Sequence, residues 1–152
     1  MINGVEFKKL VTHHDRRGFF REILRSTDDV FPEKFGQWSH SVMYNNVTKA
    51  WHYHKIQTDI WYICTGVMRV GLYDMRDESP THGEKMDFLM GEGYEPQVVR
   101  IPPGVVHGCQ AVQGAVHLFY VTSHVYNPDD EYRVKHDDPK IGFNWLDGAP
   151  IK

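Results

Sequence analysis

The sequence has few cysteines, no excess of positive charge and no long apolar run. Its two cysteines, Cys64 and Cys109, lack the Cys-x-x-Cys spacing of zinc ribbons and redox motifs, and their apolar surroundings predict buried free thiols. Lys and Arg number 17 against 20 Asp and Glu, which gives a formal net charge of −3. This balance argues against partners such as nucleic acids and anionic membranes.

The longest apolar runs, residues 60–64 and 116–121, are much shorter than the roughly 20 residues of a membrane helix. The N-terminus also lacks the basic segment and apolar core of a secretory signal, so we expect a cytoplasmic protein. The length of 152 residues predicts a single domain over residues 1–152. A hydrophobic content of 41% is sufficient for its core without disulfides.

Short β-rich runs separated by turn residues dominate the chain. The predicted strands are residues 5–11, 19–24, 37–44, 51–54, 59–64, 67–73, 98–101, 106–111 and 116–122. Residues 27–35 predict a short helix, with Thr27 as its N-cap. The pattern favours an all-β fold, a jelly-roll barrel or sandwich with one or two short helices. The polar tail after Tyr126 carries Phe143 and Trp145, so we expect it to pack against the barrel.

Three of the ten histidines lie in two short segments. His52 and His54 are separated by one residue, so on a strand both side chains point to the same face. Asp59 follows on the next predicted strand, and His107 comes directly after a Pro-Pro-Gly turn. By itself, a His-x-His pair also fits two strand histidines that are hydrogen-bonded to their neighbours.

The complete spacing, His-x-His-x4-Asp-x6-Gly followed by Pro-x-Gly-x2-His, resembles the two motifs of the cupin superfamily. The resemblance implies that His52, His54, Asp59 and His107 converge inside a β-barrel and bind a divalent metal. Imidazole and carboxylate ligands suit iron, nickel, manganese or zinc. No organic cofactor is expected. Asp59 departs from the cupin pattern, in which this position is usually Glu.

A second resemblance covers nearly the whole chain. Residues 15–22 are similar to the Asp-x-Arg-Gly-x-Phe-x-Glu opening of the dTDP-4-dehydrorhamnose 3,5-epimerase family, which are cupin-fold nucleotide-sugar epimerases. Residues 101–108 match the Val-Pro-x-Gly-x-x-His-Gly segment of that family, and residues 126–131 match its Tyr-x-Pro-x-x-Glu. The resemblance implies an isomerase of carbohydrate biosynthesis that acts on a nucleotide-linked 4-keto-6-deoxy sugar.

The same resemblance implies roles for individual residues. His52 matches the base that removes a proton next to the ketone, and Tyr120 matches the acid that returns a proton from the opposite face. The residues that match substrate contacts are Arg17, Glu22, Gln37, Lys49 and Tyr126. Family members pair through an edge strand, so we expect a homodimer in which residues 5–11 contribute the edge.

The departures from the epimerase pattern concern the site itself. Lys49 stands for an arginine, His54 for a glutamine, and Asp59 for the lysine next to the reacting oxygen. The aspartate that orients the histidine of the family has no matching position. The changes at His54 and Asp59 are those that complete the cupin metal motif. A metal-bound His52 cannot also be a free base, so the two interpretations of His52 compete.

Three functions therefore stay open at this point. The first is an epimerase in which His52 is the base and Tyr120 the acid. The second is a metal-dependent cupin enzyme, such as a sugar isomerase, hydrolase or oxygenase. The third is a noncatalytic sugar-binding cupin.

Overall fold

The structure of the protein, a computed structural model, describes residues 1–146 and is built almost entirely from β-strands. The strands are β1 Glu6–Lys9, β2 Thr12–Asp15, β3 Gly18–Arg21, β4 Gln37–Met43, β5 Thr48–Tyr53, β6 Asp59–Asp74, β7 Lys85–Gly91, β8 Gln97–Ile101, β9 Val105–Thr122 and β10 Tyr132–Arg133. The described residues contain no α-helix, and Pro128–Asp130 form one short 3₁₀ turn. The predicted all-β fold is therefore confirmed.

The long antiparallel pair of strands β6 and β9 forms the frame of the fold. Sequence analysis predicted two separate strands in each of these segments, but each is continuous, with 16 and 18 residues. The pairing shifts in register between Ile63 and Met68, where the chain bends. Gly66 makes the bend possible, because its φ is +76° and a Cβ would lie 2.6 Å from the carbonyl oxygen of Ala115.

The bend divides the sheet into two halves. One half has the order β1-β8-β6-β9-β4 and uses the N-terminal part of β6, and the other has the order β7-β6-β9-β5-β10 and uses its C-terminal part. Buried apolar side chains from both halves, such as Val99 and Val70, belong to one core cluster. The result is the jelly-roll sandwich that the sequence predicted.

The helix predicted for residues 27–35 is wrong. Asp28 accepts hydrogen bonds from the backbone N–H of Arg25 and from the ammonium group of Lys8 on β1, each within 2.6 Å. These contacts hold the segment as consecutive turns, and Pro32 removes a backbone donor that a helix would need.

No helix in residues 1–146 is long and apolar enough to cross a membrane.

The segment after β9 packs against the second half of the sandwich, as expected. Ile141 and Trp145 are buried with Trp51 of β5, and Phe143 contacts the same cluster.

The prediction that both thiols are buried is correct for one of them. Cys109 is buried, but Cys64 is exposed because it lies on the outer face of β6, where the strand begins to bend.

Candidate active site

A cavity of about 250 Å³ is lined by residues from both halves of the sandwich. Strands β4, β5 and β6, the two ends of β9 and the segment that follows β9 all contribute side chains. Most of the residues predicted from sequence line this cavity: Gln37, Lys49, His52, His54, Asp59, His107, Tyr120 and Tyr126. The fold thus brings together residues that lie up to 89 positions apart, such as Gln37 and Tyr126, whose backbone N–H donates to the Gln37 side chain.

Arg17 and Glu22 are the two predicted substrate contacts that do not line this cavity, and their role in substrate binding stays a prediction. They lie at the β2–β3 hairpin, which forms a separate two-stranded sheet. The Arg17 side chain is 84% exposed and pairs with Asp15, while Glu22 pairs with Arg25. Family-motif matching located these residues in the sequence, but the position of the hairpin depends on tertiary contacts.

His52 lies on β5 between β9 and β10. Its backbone is in register with His107 of β9 and with Arg133 of β10, and its ring stacks on that of His107 at a centroid distance of 5.9 Å. Burial lowers the pKa of His52, the charge of Arg133 lowers it further, and the charge of Glu131 acts in the opposite direction. At neutral pH the imidazole is therefore uncharged, as a general base requires.

Three side chains next to His52 form a compact cluster that we call the His-Asp-His cluster. It consists of His54, Asp59 and His107, whose ligand atoms lie within 4.8 Å of one another. The Asp59 carboxylate oxygens lie 4.0 Å from Nε2 of His54 and 3.9 Å from Nε2 of His107. His52, the fourth ligand that the sequence predicted, is not one of these three residues.

Backbone contacts determine which nitrogen of each cluster imidazole carries the proton. Nδ1 of His54 lies 2.6 Å from the carbonyl oxygen of Asp130, and Nδ1 of His107 lies 3.1 Å from that of Val105. A carbonyl oxygen can only accept a hydrogen bond, so in both rings Nδ1 is the donor. Burial lowers the pKa of His107, although the charge of Asp59 acts in the opposite direction. Nε2 of a neutral ring then presents a lone pair towards Asp59.

Two neighbours that sequence analysis missed hold the Asp59 carboxylate. The Gln57 amide donates to Oδ1 at 2.7 Å, and the Trp61 indole N–H donates to Oδ2 at 3.2 Å. Gln57 and Trp61 are each two residues from Asp59, so strand alternation was a usable signal for both. Glu131, which also lines the cavity, was visible only as the last position of the Tyr-x-Pro-x-x-Glu match.

Tyr120 and the predicted substrate contacts Gln37, Lys49 and Tyr126 line the same cavity. Tyr120 lies on the C-terminal part of β9, in register with Trp61 and Ser39. The Lys49 ammonium group donates to Ser41 at 3.2 Å. The cavity therefore offers a neutral imidazole, a phenol and a cation around one space, which is a suitable set for moving protons on a polar anionic ligand.

Comparison with known proteins agrees with this arrangement. The family model described as dTDP-4-dehydrorhamnose 3,5-epimerase matches residues 1–152. The spore coat polysaccharide biosynthesis protein SpsL of Bacillus subtilis is 46% identical over 148 residues, which cover 95% of this chain and 97% of that protein. The probable low-salt glycan biosynthesis epimerase Agl13 of Haloferax volcanii is 35% identical over 148 residues, covering 95% and 94%.

The fold comparison points in the same direction. The crystal structure of a dTDP sugar isomerase from Desulfovibrio desulfuricans G20 superposes with a TM-score of 0.88 at 27% identity, covering 95% of this chain and 92% of that one. Whole-chain similarity of this kind supports an isomerase over a hydrolase, an oxygenase or a noncatalytic binding protein. The chain belongs to the dTDP-4-dehydrorhamnose 3,5-epimerase family of nucleotide-sugar epimerases.

Proposed function

We propose that the protein epimerises a dTDP-linked 4-keto-6-deoxy sugar, with His52 as the base and Tyr120 as the acid. The observation that carries this proposal is that both side chains line one cavity, although they come from strands in different halves of the sandwich. Inversion of a stereocentre requires that a proton leaves one face of the sugar and returns to the other. Two proton-transfer groups that come from different strands and line one cavity suit this requirement.

The reaction needs no redox chemistry. His52 takes the proton from a carbon next to the ketone, the electron pair moves to the ketone oxygen as an enolate, and Tyr120 then gives a proton to the opposite face of the same carbon. His52 must finally return its proton to solvent, and Tyr120 must regain one. The names of the relatives from Bacillus and Haloferax support a place in the biosynthesis of surface carbohydrates.

We assign substrate binding to Gln37, Lys49 and Tyr126. Lys49 carries the positive charge in this group and suits the diphosphate, which it would bind as a point charge because an ammonium group lacks the paired donors of arginine. The backbone N–H of Tyr126 donates to Gln37 at 2.7 Å, so these two residues are held together at one wall of the cavity. Tyr126 then offers an aromatic surface to the ligand.

Proton exchange with solvent tests this function directly. The protein is incubated with dTDP-4-keto-6-deoxyglucose in D₂O, and deuterium incorporation and product stereochemistry are followed by NMR. We expect both in the parent protein and a loss of about 10²-fold to 10⁴-fold in His52→Asn. His13→Asn, on the exposed face of β2, is the matched control and should behave like the parent.

Other outcomes of this experiment would contradict the proposal. Saturable binding without exchange would indicate a noncatalytic sugar-binding protein. Release of the free sugar would indicate a hydrolase, and turnover that consumes dioxygen would indicate an oxygenase.

We also infer a homodimer. Strand β1 is hydrogen-bonded to β8 along one edge, and no other strand of residues 1–146 pairs with its second edge. Unpaired edges of this kind favour association with a second chain. The exposed aromatic side chains of Trp38 and Phe35 add apolar surface on the same half of the sandwich. Any contact of Arg17 or Glu22 with substrate also requires a second chain. A monomer in sedimentation at micromolar concentration would contradict this inference.

A cytoplasmic location is the remaining part of the proposal. The free thiols of Cys64 and Cys109 support it, because unpaired cysteines persist in a reducing compartment. Fractionation of the source cells, followed by immunodetection, would test the location.

A further inference from the structure

We propose that His54, Asp59 and His107 together bind one divalent transition-metal ion next to the base His52. The inference rests on the proposed epimerase function for its chemical role, but the binding of the ion itself does not depend on that function.

Atoms that can bind a metal converge in the cluster. Both imidazoles donate through Nδ1 to backbone carbonyl oxygens, so Nε2 of each ring is the nitrogen available to an ion. Each Nε2 faces an oxygen of Asp59, and the side chains are only 6% to 14% exposed. Buried polar groups need partners, and one cation between these three groups would serve all of them.

The distances from Asp59 to the two imidazoles also fit a bound ion. Zinc binds imidazole nitrogen and carboxylate oxygen at roughly 2.0–2.2 Å, so two such atoms on one ion are at most about 4.4 Å apart. The distances from Asp59 to His54 and to His107 are 4.0 and 3.9 Å, within that limit. The same distances are too long for a direct hydrogen bond between Asp59 and either imidazole.

The ligands are also already oriented. Metal-binding histidines generally donate their other ring N–H to a carbonyl or carboxylate, and both cluster histidines do so here. Asp59 is held by Gln57 and Trp61 in the same way. Each carboxylate oxygen accepts one hydrogen bond and keeps further lone pairs for an ion. Two imidazoles and one carboxylate suit divalent iron, manganese, nickel or zinc.

In the proposed site, His52 and the ion do not compete. Because His52 lies outside the group, it remains free to act as the base while the other three residues hold the ion. An ion at the cluster would supply positive charge near the oxygen on which the enolate forms. Without it, the cluster would present the Asp59 carboxylate to that oxygen, and like charges would repel each other.

Metal analysis of the purified protein tests the inference without an activity measurement. The protein is expressed without a histidine tag, depleted with a chelator, refilled separately with Zn²⁺, Mn²⁺, Fe²⁺ or Ni²⁺, and desalted before elemental analysis. We expect about one ion per chain for at least one metal, because one cluster supplies one set of ligands. In Asp59→Asn and His54→Ala, retention should fall at least about tenfold, while His13→Ala should match the parent.

Two measurements on the parent protein keep the test independent of whether the variants fold. Cobalt refilling should give visible d–d absorption from nitrogen and oxygen ligands, and chelator should lower the Tm of the parent. Chelator should leave the Tm of His54→Ala unchanged. A refilled parent without bound ion and without a cobalt spectrum would overturn the inference, as would variants that retain as much metal as the parent.

The two proposals can fail separately. Deuterium exchange into the sugar by a parent protein that holds no metal after refilling would overturn the metal site and leave the epimerase function intact. If the protein binds one ion per chain but neither exchanges nor inverts its sugar, the epimerase function is overturned and the metal site stands.

Discussion

The backbone carbonyl oxygen of Asp130 accepts the Nδ1 hydrogen bond of His54, while the carboxylate of the same aspartate holds the chain that follows His54. Its two oxygens accept the backbone N–H groups of Lys55, Ile56 and Gln57 at 2.8 to 3.2 Å. Asp130 is buried. It is therefore a positioning residue for the segment between β5 and β6.

Asp130→Asn should disturb the site through this segment. The amide nitrogen of asparagine cannot accept the N–H groups that one carboxylate oxygen accepts, so we expect a loss of about 1–3 kcal/mol in the free energy of unfolding. Metal retention should also decrease, because the segment that connects His54 to Asp59 is held less firmly. Urea unfolding and elemental analysis measure the two effects. Asp129→Asn, the exposed neighbour on the same turn, is the control, and equal behaviour of the two variants would refute the assignment.

Tyr120→Phe should separate the two proton transfers. The variant keeps the aromatic ring and loses the phenolic proton donor, so His52 still removes the substrate proton. Deuterium should still enter the abstracted position while net inversion falls by about 10²-fold or more. NMR in D₂O reports both quantities in one sample. If exchange and inversion decreased equally, Tyr120 would not be the acid.

The two cysteines should differ sharply in reactivity. Burial raises the pKa of the Cys109 thiol to about 12, and its sulfur contacts Met43 Sδ at 3.6 Å, whereas Cys64 is exposed. Ellman's reagent should therefore titrate about one thiol per folded chain and two after denaturation, since thiolate is the reactive form. Cys64→Ser should leave no reactive thiol in the folded protein. Rapid modification of that variant without unfolding would contradict the prediction.

Asp74 should contribute to stability in a pH-dependent manner. Burial raises its pKa, but hydrogen bonds from Arg76, Ser79 and Thr81 outweigh this effect and hold the pKa well below its ordinary value. Because the folded-state pKa is the lower one, the stabilisation is complete above the unfolded-state pKa of about 3.9 and is lost as the pH falls towards the folded value.

Urea unfolding at several pH values checks this. Asp74→Asn should lose about 1–3 kcal/mol at pH 7, and its difference from the parent should decrease below about pH 4. Asp77→Asn is the control, since that side chain is 93% exposed. A difference that did not change with pH would show that ionisation of Asp74 is not the cause.

The sequence by itself determined the fold class and most of the site. Alternation of apolar residues and glycine-containing turns are local properties, so the strands of the jelly roll were predictable without a structure. The spacing of His52, His54 and Asp59 is likewise a property of one short stretch of the chain. The match of residues 101–108 to a family motif added His107 to the same group.

Contacts between distant segments decided the rest. Residues 27–35 form turns because Asp28 meets Lys8 of β1, a contact between residues 20 positions apart. The register of β5 shifts between Lys49 and His52, and β10 pairs with its far edge, so His52 lies beside Arg133 and outside the His-Asp-His cluster. No local pattern specifies such pairings, because they depend on which strands meet after the chain has folded.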